Sequence, residues 1–225
     1  MALLPPTFLH CVVAIGDHAQ SGPPRYVATG FAYGHLAARA GSGDGLYQSF
    51  IVSNKHVFGS LRGDAVVLRC NPRGRGGAVE IEYPILDPAG TPLWTSHPTN
   101  EIDVAVLSID SVHTLRERGE EVWQFKSDSD VAGRADLARS GAFEGDFVYI
   151  LGFPLGFVGN RRKNVIVRSG CIARIQDLFD GDSSDFLIDA SIVPGNSGGP
   201  VIIKPEITAI QGTQKRLRNY LKTRS

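Results

Sequence analysis

Three residues that lie far apart in the sequence have side chains that together could perform nucleophilic chemistry. They are His56, Asp103 and Ser197, and the serine lies in the glycine-rich run Gly195–Pro200. A serine hydroxyl is a weak nucleophile at neutral pH, and it becomes a strong one when a histidine takes its proton and a carboxylate holds that histidine. Glycines let a backbone turn sharply and approach a ligand closely. The run can therefore supply both a nucleophile and the backbone N–H groups that stabilise an oxyanion.

Each of the three residues lies at the edge of strand-like sequence. His56 ends a β-like run that begins at Ile51, and Asp103 opens the apolar run that ends at Leu107. Taken singly, each has an ordinary structural explanation as a turn histidine, a strand-end acid or a turn serine. The chain order His, Asp, Ser is that of chymotrypsin-like enzymes, whereas subtilisins and α/β-hydrolases use other orders.

The chain resembles the trypsin-like (chymotrypsin-fold) serine proteases, and most closely their HtrA/Deg-like branch. The resemblance spans roughly residues 11 to 213 and rests on five segments: Asn54–Val57, Glu101–Leu107, Gly145–Phe147, Gly152–Gly156 and Asp189–Pro200. It implies an all-β fold of two six-stranded antiparallel β-barrels, with the active site in the cleft between them. It also implies that the protein is a serine endopeptidase.

The same resemblance implies a division of the chain. The first barrel would comprise residues 1–112 with His56 and Asp103, residues 113–145 would connect the barrels, and the second barrel would comprise residues 146–225 with Ser197. A basic tail at the end of the second part could form a short helix. HtrA-like enzymes usually carry PDZ domains after the protease, for which this chain has no room. It would therefore act alone or be the protease part of a larger polypeptide.

The resemblance also implies roles for the residues of the serine run. Ser197 would attack a peptide carbonyl, His56 would act as general base, and Asp103 would orient the imidazole. Gly195, Asn196 and Ser197 would form the oxyanion hole through the backbone N–H groups of the first and third. Digestive members of the family have an aspartate where this chain has Asn196. Activation through an ion pair with a new N-terminus is therefore not expected.

The segment before the serine and a later strand would form the pocket for P1, the substrate residue whose carbonyl is attacked. These positions are Ser191, Ile192, Val193, Pro194, Ile210, Gln211 and Gly212. Ser191 at the base of the pocket predicts a small or medium apolar P1 residue. Asp189 lies two positions too early to serve at that base, but it leaves a preference for basic residues open.

The rest of the sequence is typical of a protein with many short strands. Glycine is abundant at 26 residues, and turn-forming runs separate apolar segments. The predicted strands are 11–15, 50–53, 65–70, 104–109, 147–151, 164–167, 186–189, 201–203 and 207–211. Residues 131–139 are compatible with a helix, and the segment Gly34–Tyr47 is expected to be a long mobile loop.

Composition excludes several other classes of function. The formal net charge is zero, which gives no reason to expect nucleic acid or an anionic membrane as partner. The three cysteines are scattered, so that neither a disulfide framework nor a metal pair is predicted, and all three are expected to be buried thiols. No metal and no cofactor are expected. The start of the chain does not resemble a signal peptide, which favours the cytoplasm.

Two segments leave the question of partners open. Gln176–Asp185 corresponds to the sensor loop of HtrA-like enzymes, or it is a solvated acidic turn. The basic cluster Arg161–Lys163 could dock an acidic partner, or it is a solvated face. The alternative to a constitutive endopeptidase is therefore a latent effector, or a module that binds peptides or misfolded proteins, activated by a partner through residues 176–185. A regulatory protein or a second copy of the chain would be such a partner.

Overall fold

Strands dominate the computed structural model, which describes residues 4–18, 22–41, 43–74 and 76–204. The first lobe contains β1 (Val12–Asp17), β2 (Arg25–Arg39), β3 (Gly45–Ser53), β4 (Ala65–Cys70), β5 (Val79–Pro84), β6 (Trp94–Ser96), β7 (Ala105–Ser108) and β8 (Phe125–Lys126). The second lobe contains β9 (Phe147–Gly152), β10 (Ile166–Arg174), β11 (Leu187–Ala190) and β12 (Val201–Ile203). The helices are short: α1 (Pro6–Cys11), α2 (Lys55–Ser60), α3 (Val112–Glu117), α4 (Arg134–Ser140) and α5 (Gln176–Asp180), with a 3₁₀ turn at Pro154–Gly156. Within the described residues, none of these helices is long and apolar enough to cross a membrane.

Each lobe is built on one sheet. In the first, the strands follow the order β5-β4-β1-β2-β3-β7-β6, and β8 pairs with β2 in parallel. In the second, the described strands follow the order β11-β10-β9-β12. The expected all-β, two-lobe architecture is thus confirmed and is consistent with a chymotrypsin-like two-barrel fold. Six strands were expected in each lobe. The first lobe has eight described strands, because its sheet includes the short strands β6 and β8, and the second has four within the residues described, which end at 204.

Most of the predicted strands overlap observed ones, and the helix predicted near residues 131–139 is α4. The strand predicted at 207–211 and the C-terminal helix lie outside the described residues. The prediction of a mobile loop at Gly34–Tyr47 was wrong. Strands β2 and β3 pair as far as Arg39 opposite Gly45, so that the glycine-rich run is only the turn between them. Asp128 fixes this end of the hairpin, since it accepts hydrogen bonds from Arg39 (2.7 Å) and from the Tyr47 hydroxyl (3.0 Å).

The two lobes meet through a small apolar cluster. Val12 and Ala14 of β1 pack with Leu151 and Phe153 at the end of β9, and all four are fully buried. Each lobe also has its own larger core, and the register of β1 against its neighbours leaves its side chains buried along the whole strand. Removal of this apolar surface from water favours one fixed arrangement of the lobes.

The basic cluster Arg161–Lys163 joins the lobes, which neither interpretation of the sequence foresaw. The Lys163 side chain is buried, and its ammonium donates hydrogen bonds to the carbonyl oxygens of Leu9 (3.3 Å) and Val12. Burial lowers the pKa of Lys163. Its backbone N–H and carbonyl both bond to the side-chain amide of Asn71, at 2.7 and 3.0 Å.

Arg162 binds a second part of the first lobe, next to the part that Lys163 contacts. Its guanidinium donates to the carbonyl oxygens of Pro72, Gly74 and Gly76 and pairs with Glu121 at 3.1 Å. Arg162 and Lys163 therefore donate most of their side-chain hydrogen bonds to main-chain carbonyls of the first lobe. We refer to Arg162 and Lys163 with these acceptors as the interlobe clamp.

The three cysteines are free, and they differ in environment. Cys11 and Cys70 are buried as expected, whereas Cys171, on the outer face of β10, is only half-buried. The expectation of three buried thiols was thus wrong for Cys171. Burial raises the pKa of Cys70 to about 11 and that of Cys11 to about 12.

We expect the two buried thiols to resist alkylation in the folded protein. At pH 8, a pKa near 11 leaves about one Cys70 in 10³ as the reactive thiolate. Iodoacetamide should therefore modify Cys171 first, and should modify Cys11 and Cys70 rapidly only in urea, as measured by peptide mass spectrometry. Equal rates at all three sites in the native protein would contradict the burial described here.

Lys163→Met should weaken the interlobe clamp without adding bulk. The variant leaves two carbonyl oxygens without their charged donor, which should lower the free energy of unfolding by about 2 kcal/mol or more. Urea denaturation measures this. Lys126→Met, at an exposed lysine, is the matched control and should change stability by less than about 0.5 kcal/mol. Equal stability of the two variants would mean that Lys163 does not hold the lobes together.

Candidate active site

Strand register brings His56 and Asp103 together. β3 pairs with β7 so that Ser53 lies opposite Ala105. In an antiparallel pair, the chain continuing past the end of one strand meets the chain that precedes the other. His56 lies in the first turn of α2, directly after β3, and Asp103 lies two residues before β7. Their contact follows from this pairing.

Two hydrogen bonds fix the Asp103 carboxylate on the histidine. Oδ1 accepts the backbone N–H of His56 at 2.9 Å, and Oδ2 contacts the imidazole Nδ1. Asn54 adds a third link, because its side-chain amide donates to the Asp103 carbonyl at 2.7 Å. A carboxylate only accepts hydrogen bonds, so that Nδ1 carries the proton and Nε2 is left free to accept one.

The electrostatics of Asp103 favour its ionised form. Its partial removal from water acts to raise its pKa, but the hydrogen bonds from the His56 backbone and imidazole outweigh this and hold the pKa below the ordinary value. The carboxylate is therefore charged throughout the neutral range. It can orient the imidazole and stabilise an imidazolium when one forms.

A single buried threonine connects the serine loop to the first lobe. Thr29, in the middle of β2, is fully buried. Its backbone N–H donates to the Ser197 carbonyl at 2.9 Å, and its hydroxyl donates to the Gly195 carbonyl at 2.7 Å. The same hydroxyl accepts the backbone N–H of Phe153 at 3.0 Å. Two segments of the second lobe, the serine loop and the end of β9, are thus positioned by one side chain and its backbone.

The loop lies so close to the first lobe that only glycine fits at position 198. A Cβ on Gly198 would overlap the Ser53 hydroxyl and the Thr29 carbonyl oxygen, and its φ of +81° is in the left-handed region. Ser53 ends β3 three residues before His56, so that the contact brings Ser197 to the histidine side of the lobe. No hydrogen bond joins the Ser197 hydroxyl to His56 in this structure. Such bonds are often long without substrate and tighten when it binds.

The turn before Ser197 has the conformation that an anion site requires. Asn196 N–H donates to the Val193 carbonyl at 3.2 Å, with Pro194 and Gly195 between them, and Gly195 has a φ of +96°. Proline second and glycine with positive φ third define a type II turn. Within the described residues, neither Gly195 N–H nor Ser197 N–H donates a hydrogen bond. Two adjacent donors are therefore available to a ligand.

Leu155 determines how the Pro194–Gly195 peptide is oriented. Its backbone N–H donates to the Pro194 carbonyl at 2.7 Å. A trans peptide is planar, and its N–H points opposite to its C=O. The Gly195 N–H is therefore directed away from Leu155. Leu155 itself has a φ of +53°, the one positive value among the described non-glycine residues, and this costs roughly 1 kcal/mol.

The predicted substrate pocket is described only in part. Ser191, Ile192, Val193 and Pro194 connect β11 to the turn, and Ser191 and Ile192 are exposed. The other predicted wall, Ile210, Gln211 and Gly212, lies outside the described residues. The Ser191 carbonyl accepts a hydrogen bond from the Arg168 guanidinium at 2.9 Å.

Asn196 and the acidic segment can also be placed. Asn196 is buried, and its side-chain amide nitrogen has no hydrogen-bond partner among the described residues. The segment 176–185 begins with α5, which packs near α4 through Leu178 and Leu137. The Glu144 carboxylate accepts the first N–H groups of this helix, which fixes its start. Across residues 4–204, apart from the few left undescribed, no cluster of His, Cys, Asp or Glu could hold a metal ion.

The sequence indicated the three candidate catalytic residues but not the residues that hold them. Thr29 and Ser53 had no local signal, because their partners lie far along the chain. The run Gly152–Gly156 resembles a motif of a protease family, but that resemblance implies no role for Leu155. The position of this leucine between Pro154 and Gly156 is the sequence feature that could have indicated its role.

Gly198→Ala should disturb the loop through overlap as well as backbone strain. We expect it to lower the free energy of unfolding by about 1–3 kcal/mol more than Gly63→Ala. Gly63 also has a positive φ, +97°, but open space around it, so that it isolates the strain. Urea denaturation compares the two variants. Equal losses would show that the close approach of the loop to β2 and β3 is absent.

Comparison with known proteins agrees with this geometry. A search among curated proteins finds no match. A family model, described as a trypsin-like peptidase domain, matches residues 28–205, which include His56, Asp103 and Ser197. This match covers most of the chain and begins next to Thr29 of β2. The chain therefore belongs to the family of trypsin-like peptidase domains.

Proposed function

We propose that this protein is a serine endopeptidase in which Ser197 is the nucleophile, His56 the general base and Asp103 the residue that orients the base. The observation that carries the proposal is the Asp103–His56 contact beside a loop that Thr29 holds against the first lobe. Membership of a peptidase family supplies the class of reaction. The geometry supports the proposed roles of the three residues.

The proposed reaction begins when Nε2 of His56 takes the proton of the Ser197 hydroxyl as its oxygen attacks a peptide carbonyl. Asp103 stabilises the resulting imidazolium. The imidazolium then protonates the leaving amine, the C–N bond breaks, and an acyl-enzyme remains. Water attacks the ester with His56 again as base, which releases the carboxylic acid and restores the serine.

The N–H groups of Gly195 and Ser197 would bind the oxyanion in both steps. Loss of one such donor typically lowers kcat about 10²–10³-fold. The Leu155 contact with the Pro194 carbonyl supports this role, because it leaves the Gly195 N–H available. It also favours an endopeptidase over the alternative, a latent or purely binding protein in which this peptide would point the other way. Activation through residues 176–185 remains part of that alternative.

The finer assignment is to the HtrA/Deg-like branch. It is supported by the match of Asp189–Pro200 and Gly152–Gly156 to motifs of that branch. Its substrates would be proteins or peptides. From Ser191 alone, the expected P1 residue is small or medium and apolar.

Labelling with a fluorophosphonate probe tests the triad directly. We expect the wild-type protein to be labelled at Ser197, since the probe requires an activated hydroxyl and an oxyanion site. Ser197→Ala should abolish labelling, and His56→Ala should slow it by at least about 10³-fold. Gel fluorescence against time gives the rates.

The control for folding is His18→Ala, at an exposed histidine outside the site, which should label like the wild type. Absence of labelling in a folded wild-type protein would contradict the proposed endopeptidase and favour the latent alternative. Labelling of Ser197→Ala would mean that another residue is the nucleophile.

A further inference from the structure

Arg168 lies beneath the loop that carries Ser197. In β10 it is the register partner of Ile150 in β9, and Ile150 is in turn the partner of Val201 in β12. Residues in register share a face of the sheet, so that these three side chains form one row. The row lies on the same face as the buried core of the second lobe, which includes Ile150.

Both ends of the serine loop meet this row. The chain leaves β11 at Ala190, which is the partner of Gly170, two residues from Arg168 on the same face. It then passes through Ser191 and Ser197 and returns to the sheet at Val201. The loop therefore begins beside Arg168 in β10. It ends at Val201 in β12, which lies next to Ile150, the partner of Arg168 in β9. Arg168 therefore lies on the face of the sheet from which the loop departs, and it contacts the first residue of the loop, Ser191.

The hydrogen bonds of Arg168 are incomplete. One terminal nitrogen donates to the Ser191 carbonyl at 2.9 Å. Its Nε is buried and has no partner among the described residues. A guanidinium has five N–H donors, and a buried donor without an acceptor is destabilising. Among the described residues, Arg168 is thus a cation with a donor left for a ligand.

No described carboxylate neutralises Arg168. None lies within ion-pair distance of its guanidinium in the part of the chain that the structure describes. Asp189, the acid nearest in the sequence to Ser191, is the partner of Cys171. Successive strand residues point to opposite faces, so that Asp189 lies on the other face of the sheet from Arg168. The two cannot pair across the sheet.

We propose that Arg168 binds the side-chain carboxylate of an acidic P1 residue, glutamate or aspartate, and so sets the specificity of the proposed peptidase. A guanidinium recognises carboxylates through paired N–H donors, which would satisfy the donors that Arg168 has left. The inference rests on the proposed function. It replaces the expected preference for an apolar P1 residue. That expectation was based on the Ser191 side chain alone and did not include the Arg168 guanidinium bound to the Ser191 carbonyl.

Peptide cleavage measures this specificity. With peptides that differ only at P1, kcat/KM for glutamate should exceed that for leucine by at least about 10-fold. Arg168→Gln keeps amide donors for the Ser191 carbonyl and removes the charge. It should lower kcat/KM for the glutamate peptide by about 10–100-fold and leave the leucine peptide within about threefold.

Arg174→Gln is the matched control, since Arg174 is an exposed arginine on the same strand. It should leave both values unchanged. A wild-type preference for leucine would overturn the proposal. So would an equal loss for both peptides in Arg168→Gln, because that result means Arg168 only supports the loop.

A binding experiment separates this proposal from the proposed function. In Ser197→Ala, which does not turn over substrate, the glutamate peptide should bind at least about 10-fold more tightly than the leucine peptide by calorimetry. Ser197→Ala with Arg168→Gln should lose the difference. Equal binding of the two peptides in Ser197→Ala overturns the role of Arg168 whether or not the wild-type serine is reactive. Fluorophosphonate labelling reports on the serine independently.

Discussion

The arrangement of this active site depends on the contact between Thr29 and the glycine loop. The imidazole belongs to one lobe and the serine to the other, so that their separation is set by whatever joins the lobes at this point. Thr29 bonds to the carbonyls of Gly195 and Ser197 through its hydroxyl and its backbone N–H. Because the acceptors are the carbonyls that flank Asn196, the loop is held by its backbone and its side chains remain free for chemistry.

That contact has a steric counterpart. The loop reaches Thr29 only because Gly198 has no Cβ to strike Ser53, and the turn before it forms only because Gly195 accepts a positive φ. Leu155 accepts a similar conformation at a higher cost, and its N–H then fixes the Pro194 carbonyl. Hydrogen bonding and backbone strain therefore act together, and the strain is concentrated beside the proposed nucleophile, as is common at functional sites.

Much of the proposed site could be predicted from the sequence, because its candidate residues lie in short segments with recognisable patterns. His56, Asp103 and Ser197 lie in short runs whose residue types have a direct chemical meaning. Strands such as β4 and β9 show as apolar segments between turns. The long β2–β3 hairpin was missed because much of its outer half is exposed, so that strand pairing rather than burial defines it.

The supporting contacts could not be predicted, because they join residues that lie far apart in the sequence. Thr29 and Gly195 are separated by 166 residues, and Asn71 and Lys163 by 92. A threonine in a strand and a lysine in a basic run look the same whether they face solvent or another lobe. Only the tertiary arrangement shows that the donors of Arg162 and Lys163 are directed inward.

Mutation can remove the donor of a bond in the interlobe clamp more easily than its acceptor. Lys163 contributes a side chain, whereas Leu9 and Val12 contribute only carbonyl oxygens, which every amino acid possesses. Replacement of either acceptor residue leaves the acceptor atom in place, but replacement of the lysine removes the donor. For these two bonds, the sequence information is therefore held by the lysine codon of the second lobe, whereas the bonds of Asn71 and Glu121 depend on side chains of the first lobe as well.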